Sequence, residues 1–214
     1  MSAVVGDVDL KGKLQAGVTS LGLDLPQSGL EQLVRFIGLL EKWNRTYNLT
    51  AIREPEQMVS LHLLDSLVLA PVLKFGTVLD VGSGGGFPGI PIAIARPDLK
   101  LTLLDASQKR TAFLRQAVVE LNLQNATVVC ERVERWHSGE TFDWIVSRAF
   151  AELGEFVSSC APLLKPGGLF AAMKGAISSD ELAALPPAFR VQSVLPLVVP
   201  GLEAERHVVL VERS

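Results

Sequence analysis

Between Val78 and Ile90 the chain reads VLDVGSGGGFPGI, with five glycines in the eight residues from Gly82 to Gly89. Glycine loses more backbone freedom on folding than any other residue, so this density marks a turn needing positive φ or close backbone approach. An apolar run, Val78–Val81, precedes the turn and another, beginning at Ile90, follows it. Strand, glycine-rich turn and helix is the geometry that presents bare N–H groups and a helix N-terminus to a ligand. Taken literally, Gly84 to Gly89 satisfies GxGxxG, the dinucleotide fingerprint, but glycine-rich stretches match that pattern easily.

The rest of the chain repeats the strand–helix rhythm. Candidate strands are Val78–Val81, Leu101–Asp105, Thr127–Cys130, Trp144–Ser147 and Leu169–Met173. After Asp105 a helix is expected, with Phe113, Leu114, Ala117, Val118 and Leu121 as its apolar stripe. Short apolar strands separated by helices predict an α/β fold with a mostly parallel sheet covered on both faces. Two last β-like runs, Val191–Val199 and Arg206–Glu212, are joined too directly for a parallel return, so the sheet is expected to end in a C-terminal antiparallel hairpin. Residues 1–73 read instead as a helical extension preceding the sheet-bearing part, 74–214. There Leu30, Leu33, Val34, Ile37, Leu40 and Trp43 share one helical face, with Ser28 as a plausible N-cap. Pro55 can open a further helix carrying Met58, Leu61, Leu64 and Val68 inward.

At 214 residues, 48% of them apolar, the chain has material for one sizeable core. No apolar run is long enough to span a bilayer, and MSAVVGDVDLKGK lacks the order of a secretory signal; a cytoplasmic protein is expected. Cys130 and Cys160 fit no metal spacing and read as buried thiols, and no metal site is expected. The net charge of −3 argues against strong non-specific nucleic-acid binding, although it leaves room for a local basic patch.

Three neighbours refine the glycine turn. Asp80 stands just before the first glycine, where a carboxylate suits an ammonium or a water and offers a pyrophosphate nothing. Asp105 ends the second strand, where an acid can take both hydroxyls of a ribose. The run Leu163-Leu164-Lys165-Pro166-Gly167-Gly168 reads as a helix end and turn before the fifth strand. Together with the terminal hairpin these features predict a class I, Rossmann-like, S-adenosylmethionine-dependent methyltransferase rather than a nicotinamide enzyme.

The chain then resembles one family in block after block. Trp43-Asn44-Arg45-Thr46-Tyr47-Asn48-Leu49-Thr50 and His62-Leu63-Leu64-Asp65-Ser66 resemble the N-terminal signature of the RsmG (GidB) ribosomal RNA methyltransferases. VGSGGGFPGIPIAI, LLDASQKRTAFLRQ, Arg132-Val133-Glu134, Ser147-Arg148-Ala149-Phe150, Met173-Lys174-Gly175 and Glu205-Arg206-His207 match in order, over about Leu40 to Val211. The resemblance implies methylation of N7 of one guanine in 16S rRNA, with S-adenosylmethionine as donor. It places cofactor contacts on Gly82, Phe87, Val133, Glu134 and Arg148, to which the loop and strand ends add Ser83, Gly84 and Asp105.

The implied chemistry is economical. N7 of guanine carries an in-plane lone pair and no proton, so it can attack a sulfonium methyl without a general base, and alignment and electrostatics carry the catalysis. No cysteine sits in a nucleophile setting, and Ser147-Arg148-Ala149-Phe150 differs from the Pro-Pro-aromatic loop of exocyclic-amine methyltransferases. Candidates for positioning the substrate are His62, Asp65, Arg132, Phe150, Lys174 and Arg206. Phe150 is read either as a platform for the target base or as a core aromatic. Each cation is read as an RNA contact or as part of a solvated face. His62, Asp65 and Ser66 lie on one side of a helix, near the site or as a buried anchor. The expected partner is 16S rRNA within a small subunit or an assembly intermediate, with no DNA and no membrane. Rival readings are a non-catalytic rRNA-binding assembly factor on the same scaffold, a small-molecule methyltransferase and, more distantly, an NAD-linked oxidoreductase.

Overall fold

A computed structural model describes residues 5–148, 150 and 152–214, with side chains from residue 10 onward. The strands are β1 (Thr77–Val81), β2 (Lys100–Asp105), β3 (Ala126–Cys130), β4 (Phe142–Ser147), β5 (Leu164–Lys174), β6 (Phe189–Pro196) and β7 (His207–Arg213). All five strands expected from the sequence are present. They form one sheet in the order β3-β2-β1-β4-β5-β7-β6. β1 to β5 pair in parallel, whereas β7 is antiparallel to both β5 and β6. The hairpin is therefore present, and its second strand lies inside the sheet while β6 takes the edge.

Strand periodicity divides the core. Val78, Leu101, Leu103, Trp144, Val146, Ala171, Met173, Val208 and Leu210 face one apolar cluster. Their neighbours Leu79, Leu104, Ile145, Phe170, Ala172, Val209 and Val211 face the other. This is the period-2 alternation of a sheet buried on both sides. On the first face lie α1 (Val5–Ser20), α2 (Gln27–Tyr47), α5 (Gly89–Ala95) and α6 (Gln108–Glu120). The helical run 55–67, formed by α3 (Pro55–Met58), a π-helical stretch Val59–Leu64 and α4 (Asp65–Leu67), joins them there. Leu14, Leu33, Met58 and Leu64 share one apolar cluster with strand residues, so the N-terminal helices complete the sheet's core. α7 (Leu153–Cys160) covers the second face, beside the short α8 (Ser179–Ala183).

Local chemistry explains several boundaries, and the structure corrects four expectations. The Ser107 Oγ accepts the Arg110 N–H and caps α6, whose stripe Phe113, Leu114, Ala117 and Leu121 is buried. α2 starts at Gln27, not after Ser28: Pro26 is extended, and its carbonyl accepts the N–H groups of Gly29 and Leu30. In the run 55–67, Met58, Leu64 and Val68 are buried, but the wide π turn leaves Leu61 only half-buried. The segment 165–168 is a bulge within β5, because Phe142 pairs with Leu164 and Trp144 with Leu169. Cys160 is fully buried, its thiol pushed up to about 12 by burial and then by Glu134, whereas Cys130 is half-buried. No helix among the described residues is long and apolar enough to cross a membrane.

Candidate active site

The strand order reverses between β1 and β4, and a crevice opens beyond the carboxyl ends of both, where open α/β sheets bind ligands. Three adjoining cavities, of about 240, 230 and 370 Å³, line it. The first and second share Gly82 and Arg110, and the second and third share His62 and Arg148.

The first two cavities are shaped largely by backbone. Gly82 has φ of 74°, and its N–H and that of Ser83 both donate to the Leu104 carbonyl, folding the loop back over β2. Ser83 Oγ donates to the Asp80 carbonyl at 3.0 Å. Gly89 opens α5 against β1: a Cβ there would lie 2.2 Å from Leu103 Cδ2 and 2.6 Å from Asp80 Oδ2. Asp80 is sealed from solvent. Its Oδ2 accepts the Gly89 N–H at 3.0 Å, while Oδ1 is buried without a hydrogen-bond partner. Burial raises its carboxyl to about 7, against the lowering effects of Ser83 and Gly89. Asp105 accepts Gly84 N–H on Oδ2 at 2.9 Å and Ser107 N–H on Oδ1 at 2.8 Å, and Arg110 stands 3.6 Å from Oδ2. Each carboxylate oxygen keeps a second acceptor site, so a ribose diol can still be bound. Val133, Glu134 and Arg132 border the first cavity together with Phe150.

The third cavity is a side-chain construction. Asp65, 2% exposed, accepts Arg148 Nη1 on Oδ2 at 2.9 Å and Arg206 Nε on Oδ1 at 2.8 Å. Arg148 also donates to the Leu61 carbonyl at 3.3 Å and lies 5.0 Å from the centre of the Phe87 ring. His62 stacks on the same Phe87 ring, 4.4 Å between centroids with 24° between planes. Its Nε2 hydrogen-bonds with Thr50 Oγ1 at 2.7 Å. Burial, then the Arg148 charge, lower the imidazole to about 4, so it is neutral at pH 7. Ser66 turns away and donates to the His62 carbonyl at 2.6 Å.

The candidates thus divide between cavities. His62, Asp65, Arg148, Lys174 and Arg206 meet around the third, whereas Arg132 and Phe150 stand at the first. Phe150 packs 5.2 Å from Phe156, joined to the core cluster beneath α7. Lys174 pairs with Glu181 at 2.7 Å and donates to the Phe150 carbonyl at 3.1 Å, tying the segment after β4 to α8. Sequence reasoning assigned no role to Glu181, and none was readable: an acid in a polar linker carries no signal of its long-range partner. Thr50 lay within a recognised block, yet its partnership with His62 appears only in three dimensions. Among the described residues no cluster of three or more His, Cys, Asp and Glu side chains could hold a metal ion.

The cavity linings fit a sulfonium nucleoside: an acidic strand end, Asp105, for the ribose and a groove past β3 for the base. Asp80, sealed beneath the glycine turn, lines none of the three cavities and does not meet the ligand as its place in the sequence suggests. Sheet order and crevice together define a class I S-adenosylmethionine-dependent methyltransferase. Solved structures agree on the fold. The glycopeptide N-methyltransferase MtfA, complexed with S-adenosylhomocysteine, is 14% identical with a TM-score of 0.60, covering 72% of this chain and 87% of its own. A precorrin-6y C5,15-methyltransferase from Geobacter metallireducens is 16% identical with a TM-score of 0.52, over 70% and 87%. The chain belongs to the GidB family, rRNA small subunit methyltransferase G, whose model matches residues 29–209. The ribosomal RNA small subunit methyltransferase G of Chromobacterium violaceum is 55% identical over 198 residues, 92% of this chain and 95% of the relative. That of Neisseria meningitidis serogroup A is 52% identical over 207 residues, 96% of this chain and the whole of the relative.

Proposed function

We propose that this chain methylates N7 of one guanine in 16S rRNA, in the cytoplasm, acting on a small ribosomal subunit or an assembly intermediate. Bound S-adenosylmethionine supplies an electrophilic sulfonium methyl. Val133 and Glu134 read the base edge of the donor, Asp105 takes its ribose, and Gly82, Ser83 and Gly84 admit its amino-acid part, with Phe87 and Arg148 closing that end. His62, Asp65 and Arg206 shape the pocket for the target nucleotide. Residues 1–73 serve as a helical extension of the domain 74–214, the two folding as one unit.

One observation carries the reading: around the junction of the second and third cavities, among the described residues, the titratable groups are already committed. His62 is held neutral by burial, Asp65 is taken by two guanidiniums, and Asp80 is sealed in the strand. A nucleophile that must lose a proton would find only weakly basic, already hydrogen-bonded groups there, whereas N7 needs no base. The net charge of −3 favours a particle over naked RNA as substrate.

The test is methylation of small subunits from a strain lacking the enzyme, followed by mapping of N7-methylguanine. A single new N7-methylguanine in 16S rRNA is expected; modification elsewhere, or none, overturns the proposal. Faster turnover on protein-free RNA at physiological salt would count against the particle as substrate.

A further inference from the structure

Among the described residues two Phe, Tyr or Trp rings stand exposed, Phe75 at the far end of the sheet and Tyr47 at 43%. Tyr47 ends α2, and its position follows from the helix it packs beside. Gln32 and Arg35 of α2 donate to the carbonyls of Leu121 and Glu120 at the end of α6, while Trp43 lies 5.7 Å from Phe113. The two helices therefore run antiparallel, and the end of α2 reaches the first turn of α6, where Lys109 and Arg110 are exposed. Arg110 lines both donor cavities. Beyond Tyr47 the chain continues along the crevice: Leu49 and Thr50 border the second cavity and Ile52 the third, and Arg53 is exposed.

The Tyr47 ring is fixed from beneath. It lies 5.1 Å from Trp43, the first member of a file of rings that continues through Phe113, Phe36 and Phe87 to His62. A ring held on one side and open on the other, flanked by cations, is the arrangement on which an unstacked base rests while its phosphates meet positive charge. A net-negative protein that binds RNA must concentrate its cations, and here Arg53 is exposed on the segment that follows Tyr47, and Lys109 and Arg110 on the helix turn that the end of α2 reaches.

We infer that Tyr47, with Arg53 and Lys109, forms a stacking platform for a nucleotide flanking the target guanine in single-stranded or loop RNA. The inference rests on the rRNA reading above and adds to it a contact outside the pocket. The platform orders the RNA strand at the rim so that the neighbouring base can enter the third cavity.

The experiment compares wild type, Tyr47→Ala, Tyr47→Leu, Tyr47→Phe and Arg53→Ala for equilibrium binding to unmethylated small subunits and for methyl transfer. Melting temperature and S-adenosylhomocysteine affinity serve as controls. Loss of one stacked base weakens binding about tenfold, so Tyr47→Ala and Tyr47→Leu are expected to lose that factor in RNA affinity and in KM. Tyr47→Phe stays within about twofold. Arg53→Ala lowers the slope of log affinity against log salt by about 0.7, as loss of one single-strand phosphate contact requires. Leucine keeps the packing on Trp43 and removes the π face, which separates stacking from folding. Unchanged RNA affinity in both Tyr47→Ala and Tyr47→Leu overturns the platform. A wild type that binds subunits without transferring methyl overturns the proposed function, and the platform is then read from binding alone; absence of binding by wild type overturns both.

Discussion

Along the β1–β2 wall of the crevice, position is set by backbone: the N–H groups of Gly82, Ser83, Gly84 and Gly89 are all tied to carbonyl or carboxylate oxygens of those strands. Along the opposite wall, position is set by charged side chains, with one buried carboxylate holding Arg148 and Arg206. The backbone wall is rigid because its acceptors belong to β1 and β2, strands that are each paired on both sides. The ionic wall gains its geometry from a carboxylate that has given up water, and removing either sign leaves the other exposed in a low-dielectric site. The β1–β2 wall is thus specified by shape and the opposite wall by charge balance.

The largest expected effect comes from breaking the ionic wall. Asp65→Ala leaves two guanidiniums without their counter-charge and is expected to cost about 3 kcal/mol, because 24% and 26% of the two arginine side chains stay in water. Urea unfolding checks it, and a loss below about 1 kcal/mol, the scale of a surface pair, would show that the two walls are energetically alike.

Next comes the imidazole between the walls. Its folded value of about 4 lies below the ordinary 6.5. Below 6.5 the unfolded chain therefore binds a proton that the folded chain does not, and stability is lost as the pH falls towards 4, at up to about 1.4 kcal/mol per pH unit. Asp80 has the opposite sign, since its carboxyl is raised from 3.8 to about 7; its contribution is present at low pH and lost as pH rises through 7. Unfolding midpoints at pH 5 and pH 7 are expected to differ more favourably for pH 7 in wild type than in His62→Gln; identical differences would remove His62 from the account.

Gly89→Ala tests the backbone wall. With Leu103 and Asp80 in the way of a Cβ, overpacking of about 1–3 kcal/mol is expected, accompanied by weaker S-adenosylhomocysteine binding in calorimetry. Unchanged affinity would show that the loop tolerates displacement. The smallest stability change, within about 0.5 kcal/mol, is expected for exposed Arg132→Ala, with RNA methylation reduced and donor affinity kept within a few-fold. Lys174→Ala is a poorer probe of RNA contact, since Lys174 is engaged with Glu181 and its side chain is only 10% exposed.

The same contrast explains what was legible in the sequence. The donor wall follows local rules: a glycine turn after an apolar run, an acid at a strand end, and a period that changes from 2 to 3.6. Its strands and α6 could be read from Val78 to Leu121 without reference to distant residues. The ionic wall depends on pairs 83 and 141 residues apart, and nothing local in His62-Leu63-Leu64-Asp65-Ser66 announces either arginine. Family resemblance brought those residues into view; only the fold supplied their partners. The π turn at Val59–Leu64 and the bulge at 165–168 were hidden for a related reason, since both are solved by tertiary packing rather than by propensity.

The placement of β7 between β5 and β6 has a consequence in time. Asp65 leaves the ribosome 141 residues ahead of Arg206, which stands next to the first residue of β7. β6 pairs with β7 alone, so until the β6–β7 hairpin adds to β5 the sheet ends at β5 and the carboxylate lacks one of its counter-charges. The third cavity is therefore complete only once β7 is in place, since Arg206, one of its lining residues, is carried to Asp65 by that strand.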